Sequence, residues 1–144
     1  MLEQIEGTLK SAFHCTQEAL PYLLRADSPS VLNISSIPAA ALPHQMIARS
    51  AAQGALEALT RSLAIELGRR RVRVNALSVG WTTTDQLLNI PPSVLESVVA
   101  SIPIGRIASP SEIAATAIFL LSKSASYITG SVFPIAGGLA PDPR

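Results

Sequence analysis

The sequence predicts an α/β fold, a parallel sheet flanked by helices. Three observations predict it. Apolar residues recur at three- and four-residue steps over 2–24 and again over 46–70, the period of amphipathic helices. Two short, mainly apolar runs, Val31-Leu32-Asn33-Ile34 and Val72 to Val79, suit strands buried on both faces. The first run ends in Ser35-Ser36, so it delivers hydroxyls at its carboxyl end, where open parallel sheets bind ligands.

Bulk properties narrow the class. The 144 residues suit one domain and are too few for two. With 48% hydrophobic and 15% charged residues, the chain favours a packed globule over disorder. A net charge of +1 gives no case for nucleic acid or anionic membranes as partners. The single Cys15 rules out an internal disulfide and fits a reducing compartment. The amino terminus lacks the basic and apolar regions of a signal peptide, and the run Ile113 to Leu121 is too short to span a bilayer. A cytoplasmic, soluble protein is expected.

The elements follow in order. Residues 2–24 form a helix on Ile5, Leu9, Ala12, Phe13, Thr16, Leu20, Leu23 and Leu24, with a kink possible at Pro21. His14 and Cys15 point about 100° apart on it, so they read as helix-surface or packing residues and no metal site is expected. Turn residues 25–30 lead to the strand ending at Ser36, and a loop runs to Gln45. The second helix carries a core stripe of Ala52, Ala55, Leu56, Leu59, Leu63 and Leu67. A smaller face of Ala51, Ala55, Ala58 and Ser62 allows another helix to approach closely. Arg69-Arg70-Arg71 and Arg73 form the only basic cluster, which either attracts phosphate or, the favoured reading, is a solvated turn favoured by a helix carboxyl end. After the strand 72–79 comes Gly80-Trp81-Thr82-Thr83-Thr84, then a mixed segment 86–102. Ser109-Pro110-Ser111-Glu112 is a capping box that opens a further helix. The last strand, Val132 to Ala136, contains Pro134 and therefore belongs at a sheet edge. Residues 1–138 form a single domain, and 139–144 a flexible tail.

Several of these stretches carry a resemblance. A strand ending at Ser36, a spacing of thirteen residues, then Arg49-Ser50-Ala51-Ala52-Gln53-Gly54-Ala55-Leu56 is similar to the active-site segment of the short-chain dehydrogenase/reductase family. Ser36 falls on the family's serine. Arg49 stands where the family has tyrosine, Gln53 where it has lysine, and Thr8 where the preceding helix carries an asparagine. Asn75, Gly80 and Thr84 match the family's Asn-x-x-x-Pro-Gly-x-x-x-Thr, with Val79 in place of proline. Pro103-Ile104-Gly105-Arg106 through Gly137-Gly138 is close to the family's carboxyl-terminal pattern, with Ala136 in place of a common aspartate.

The resemblance implies a truncated Rossmann-like three-layer fold with a short parallel sheet of about three strands. It implies that Gly80, Thr82 and Thr84 are cofactor-binding positions in vestigial form, and that 86–102 is a substrate lid. It also implies pairing of helices 2–24 and 46–70 with a second copy or with an intact relative; plain intrachain packing is the alternative. Nothing resembles the family's Gly-x-x-x-Gly-x-Gly phosphate turn, so only the carboxyl-terminal half is matched and the strand at Val31 to Ile34 is left as an open edge.

Chemistry decides the functional expectation. Arginine stays protonated in proteins, so Arg49 cannot cycle a proton as tyrosine does, and neutral Gln53 supplies no field to lower a neighbour's pKa. The expectation is a catalytically inactive oligomerising or partner subunit, with no cofactor on the isolated chain. The alternative is an NAD(P)-dependent oxidoreductase of carbonyl and hydroxyl groups, complete only with a partner chain. A remnant without a selected role is the third reading.

Overall fold

The computed structural model describes residues 2–37 and 47–139. The element order is α1 (Leu2–Leu23), β1 (Ser30–Ser36), α2 (Ile47–Gly68), β2 (Arg73–Val79), a 3-10 turn at Asp85–Asn89, α3 (Pro92–Ser101), α4 (Pro110–Leu121), a second 3-10 turn at Lys123–Ala125 and β3 (Val132–Ile135). The loop expected before Gln45 and the tail beyond Leu139 lie outside the described residues. Leu139 itself donates to the Ala136 carbonyl at 3.1 Å.

The three strands are parallel in the order β1-β2-β3, as the sequence led one to expect. Their register aligns Ser36 with Val79 and Val79 with Ile135, so all three carboxyl ends reach one rim. Among the described strands β1 has a neighbour on one side only, and Ile34 on it is 57% exposed. Pro134 sits in the opposite edge strand.

Alternation along the central strand sorts the core into two layers. Val72 and Val74 pack with Leu63, Ala64 and Leu67 of α2 and against Leu20 and Leu23 of α1. Leu77 faces the other way, onto Leu120 of α4 and onto Ala125. This gives helices, sheet, helix: the three layers expected. The α2 stripe differs in detail. Thr60, absent from the expected stripe, is buried, while Ala55 and Leu59 are only half-covered. Thr60 tolerates burial because its hydroxyl donates to the Leu56 carbonyl at 2.9 Å and accepts from Asn33 Nδ2 at 2.9 Å.

The basic cluster divides. Arg69, Arg70 and Arg71 are exposed in the turn after α2. Arg73 corrects the expectation of a solvated residue: it is 7% exposed and lies in β2. Its guanidinium donates to the carbonyls of Leu120 at 2.6 Å, Leu121 at 3.3 Å and Ser122 at 3.2 Å. These are carbonyls at the end of α4, which have no partner within the helix. Burial lowers the Arg73 pKa from its ordinary value.

At the other end of α4 the expected capping box is present. Glu112 accepts from the Ser109 N–H at 2.8 Å and from Arg106 through both oxygens, at 2.6 and 2.8 Å. These bonds, Arg106 first and then Ser109, pull the Glu112 carboxyl from 4.5 down to about 2. A carboxyl depressed in the folded state stabilises it above the unfolded pKa, and that stabilisation drains away as pH falls through the folded value. The stability difference between the wild type and Glu112→Gln is therefore expected to be full at neutral pH and to shrink from about pH 5 down to about pH 2. Thermal melts of both proteins across that range check it; a gap that stays constant would mean the ionised carboxylate contributes nothing.

Candidate active site

The shared rim of the three strands opens into a cleft of about 420 Å³. Ser35, Ser36 and Ile37 come from the end of β1, and Arg49 and Gln53 from the first turns of α2. Val79 ends β2, Gly80, Trp81, Thr82 and Thr84 follow it, and Leu87 and Ile90 complete the lining. The fold thus gathers five of the expected site residues with Ser36 into one place. Thr8 is the exception: it lies half-buried on α1 and does not line the cleft.

Each side chain has a local cause. Ser36 is half-buried, and its hydroxyl donates to the adjacent Ile37 carbonyl at 3.1 Å, a short-range bond that a ligand oxygen can replace. Gly80 is required by space rather than by an unusual backbone. A Cβ there would lie 2.8 Å from Ala136 Cα and 3.3 Å from the Ile135 carbonyl oxygen, so any side chain would part the ends of β2 and β3. The Gly80 N–H donates to that same Ile135 oxygen at 2.9 Å. Beyond it, the Thr83 N–H reaches the Ala108 carbonyl at 2.8 Å and the Ala108 N–H reaches Trp81 at 3.1 Å. This short bridge holds the Trp81–Thr84 loop over the rim while the intervening segment folds as the turn at Asp85–Asn89 and α3. Within it, Val98 is fully buried and Ile102 is 4% exposed, which anchors the expected lid.

Electrostatics single out two groups. Gln53 has a buried side-chain oxygen, Oε1, with no hydrogen-bond partner among the described residues. Such an atom carries the full desolvation cost unless a donor arrives. Arg49 is exposed at the cleft, and among the described residues no carboxylate lines the cleft with it. Beneath them, the face of β1 towards α2 is polar: Ser35, 2% exposed, donates to Glu57 at 3.2 Å, beside the Asn33–Thr60 pair. Sequence reading passed over this ladder and over Ile37, Leu87 and Ile90. The signal was present in the alternation of Asn33 and Ser35, set against Gln53, Glu57 and Thr60 at helical spacing. His14 and Cys15 are exposed on α1, away from the cleft, with the His14 ring edge-on to Phe13.

Comparison with known proteins bears on this geometry. Residues 1–140 match the family described as enoyl-(acyl carrier protein) reductase. The chain is 33% identical over 135 residues to 3-oxoacyl-[acyl-carrier-protein] reductase FabG of Thermotoga maritima, covering 94% of this chain and 55% of that protein. It thus spans about half the length of the curated relatives it matches. Among solved structures, the RhlG/NADP active-site complex of Pseudomonas aeruginosa aligns with a TM-score of 0.84 and 38% identity, over 93% of this chain and 55% of the other. A short chain oxidoreductase of Pseudomonas aeruginosa PAO1, NADPH-bound and described as containing an atypical catalytic center, aligns with a TM-score of 0.86 and 28% identity, over 96% of this chain and 56% of the other.

These likenesses correct three expectations. The resemblance is no dismantled remnant: the match runs through residues 1–140, and Ser36, Arg49, Gln53, Gly80, Thr82 and Thr84 converge on one cleft. The expected inactivity, drawn from Arg49 and Gln53 and from the missing phosphate turn, is overturned by the NADPH-bound oxidoreductase whose catalytic centre is itself atypical. An atypical centre is therefore compatible with a bound cofactor in a relative of this fold. The expectation of no cofactor on the isolated chain falls with it, because NADP and NADPH complexes align over 93% and 96% of this chain. The physical reason is that the strand ends and the first turns of α2 build the reacting side of the cleft, and those parts are in place.

Proposed function

Because the chain belongs to the short-chain dehydrogenase/reductase family, we propose that it is an NAD(P)-dependent oxidoreductase that interconverts a carbonyl and a hydroxyl in the cleft at Ser36. The observation that carries this reading is the convergence of Ser36, Arg49, Gln53, Gly80, Thr82 and Thr84 on one cleft. The Gln53 amide in its lining suits a ligand that presents hydroxyls, as a nicotinamide ribose does. Thr82 and Thr84 offer hydroxyls, and Gly80 keeps the backbone close, on the side towards Trp81. The nicotinamide cofactor, when bound, would supply a hydride to the carbonyl carbon as NAD(P)H and would accept one from the carbinol carbon as NAD(P)+.

The chain's own residues handle the oxygen. As the carbon gains the hydride's electron pair, the C–O π pair moves onto oxygen. Ser36 Oγ–H turns from Ile37 to donate to that oxygen, and the fixed charge of Arg49 stabilises the developing negative charge. Arg49 keeps its own protons. The proton that completes the hydroxyl comes from water, which reaches this open cleft through its mouth.

Self-association accompanies this function. Ala51, Ala58 and Ser62 of α2 are exposed, with Ile65 at 80% and, on α1, Phe13 at 45%. Small residues flanked by uncovered apolar ones fit two α1–α2 pairs packing together. Among the described residues no helix is long and apolar enough to cross a membrane.

Trp81 is the only tryptophan and lines the cleft, so it reports on occupancy. Titration of the purified chain with NADPH and with NADH is expected to quench its fluorescence saturably, and ketone-dependent oxidation of the better nucleotide should follow. Absence of saturable quenching with either nucleotide would sink the proposal.

A further inference from the structure

Arg49 is a cation in an unfavourable place. It is the third residue of α2, where the macrodipole is positive, and the first turn of that helix holds no acidic residue. Neither of the two ion pairs found among the described residues involves it. Residues 38–46, which precede the helix, contain no aspartate or glutamate. Among the described residues no carboxylate lines the cleft either. No described residue pairs with the guanidinium, and the rest of the described lining is hydroxyls, the Gln53 amide and apolar side chains.

We infer that the substrate is itself an anion: an oxo acid, or the matching hydroxy acid, whose free carboxylate pairs with Arg49. The inference rests on the oxidoreductase reading above and names its substrate class. A guanidinium presents five N–H donors in a planar fork. One edge holds the carboxylate in a bidentate pair, and a remaining N–H stays with the ketone oxygen that Ser36 also meets. The carboxylate therefore lies within one or two carbons of the reacting carbon. Ile37, Leu87 and Ile90 give the alkyl side of the molecule an apolar wall. The redox balance is unchanged: the ketone carbon gains two electrons with the hydride, water supplies the proton, and the carboxylate is a spectator held by charge.

The experiment compares acid and ester. The full chain is assayed with NADPH against 2-oxobutanoate, 3-oxobutanoate and the methyl ester of each. At least one acid is expected to exceed its ester in kcat/KM by about tenfold or more, the scale of one charge-assisted pair. Arg49→Met should reduce that ratio to within about twofold, and Arg49→Lys should restore only part of it because the fork is lost. A readout without turnover accompanies it: the affinity for 2-hydroxybutanoate or 3-hydroxybutanoate, measured by calorimetry, should fall about tenfold in Arg49→Met. Trp81 quenching by NADPH should be the same in both proteins.

Esters used as well as acids by the wild type would overturn the inference. So would acid preference that survives Arg49→Met, or no turnover of either acid while NADPH still binds. Weakened NADPH binding in Arg49→Met with unchanged acid affinity would assign Arg49 to the cofactor's phosphates and also overturn it. Failure of the wild type to bind either nucleotide is a different result and counts against the oxidoreductase reading itself.

Discussion

Replacing Arg73 by methionine is expected to destabilise the protein by about 3 kcal/mol or more and to lower its melting temperature by roughly 10 °C. The side chain is 7% exposed and donates to three successive carbonyls at the carboxyl end of α4. Methionine keeps an unbranched apolar stem while removing every donor. Those carbonyls then lose partners that carry full positive charge, and a bond to a charged group is worth roughly 1.5 to 3 kcal/mol. The loss exceeds that of one bond because Arg73 ties the central strand to the carboxyl end of α4 through three carbonyls. Arg73→Lys should recover part of the loss, since an ammonium can meet one or two carbonyls but not three across this spread. Urea or thermal unfolding of the three proteins gives the answer. A change below about 0.5 kcal/mol for Arg73→Met, the range of ordinary surface substitutions, would show that α4 is capped adequately without it.

Ser36→Ala should leave the fold and the cofactor titration intact and reduce kcat by about 100-fold, or about 2.7 kcal/mol at the transition state. Ser36 is half-buried, and its hydroxyl is committed only to the Ile37 carbonyl next to it. Removing it strands no distant partner, so the structural cost is small. The chemical cost is large because it is the neutral donor placed at the rim of the sheet, where charge develops on the substrate oxygen. Arg49 alone supplies a field but not that directed hydroxyl. The split between parameters is the signature: kcat falls while KM and Trp81 quenching by NADPH stay close to wild type. Activity within about threefold of wild type would remove Ser36 from the proposed chemistry.

Much of this molecule was legible from local pattern. Periodicity placed α1 and α2 within about two residues of their ends, the usual uncertainty of a helix boundary. The box at Ser109 to Glu112 marked the start of α4, and Pro134 pointed to an edge strand. The frame of Ser36, Arg49 and Gln53 was readable because its spacing survives although its chemistry differs. What misled was the step from residue type to loss of function. Tyrosine and lysine are one way to manage charge on an oxygen, and their replacement says which way is absent, not that none remains. Thr8 does not line the cleft, and helical phase alone does not say which side of a helix meets a cleft formed by other elements.

The sequence by itself determined the segments, their order and the polar strand end around which a site can form, because these depend on periods of two and 3.6 residues and on nearest-neighbour caps. Only the tertiary structure decided where Arg73 goes, 47 residues along the chain to the end of α4, and that Gln53 keeps a buried acceptor without a donor among the described residues. Both facts are about desolvation. Whether a polar group loses water, and what it meets in exchange, depends on surfaces brought together from distant parts of the chain.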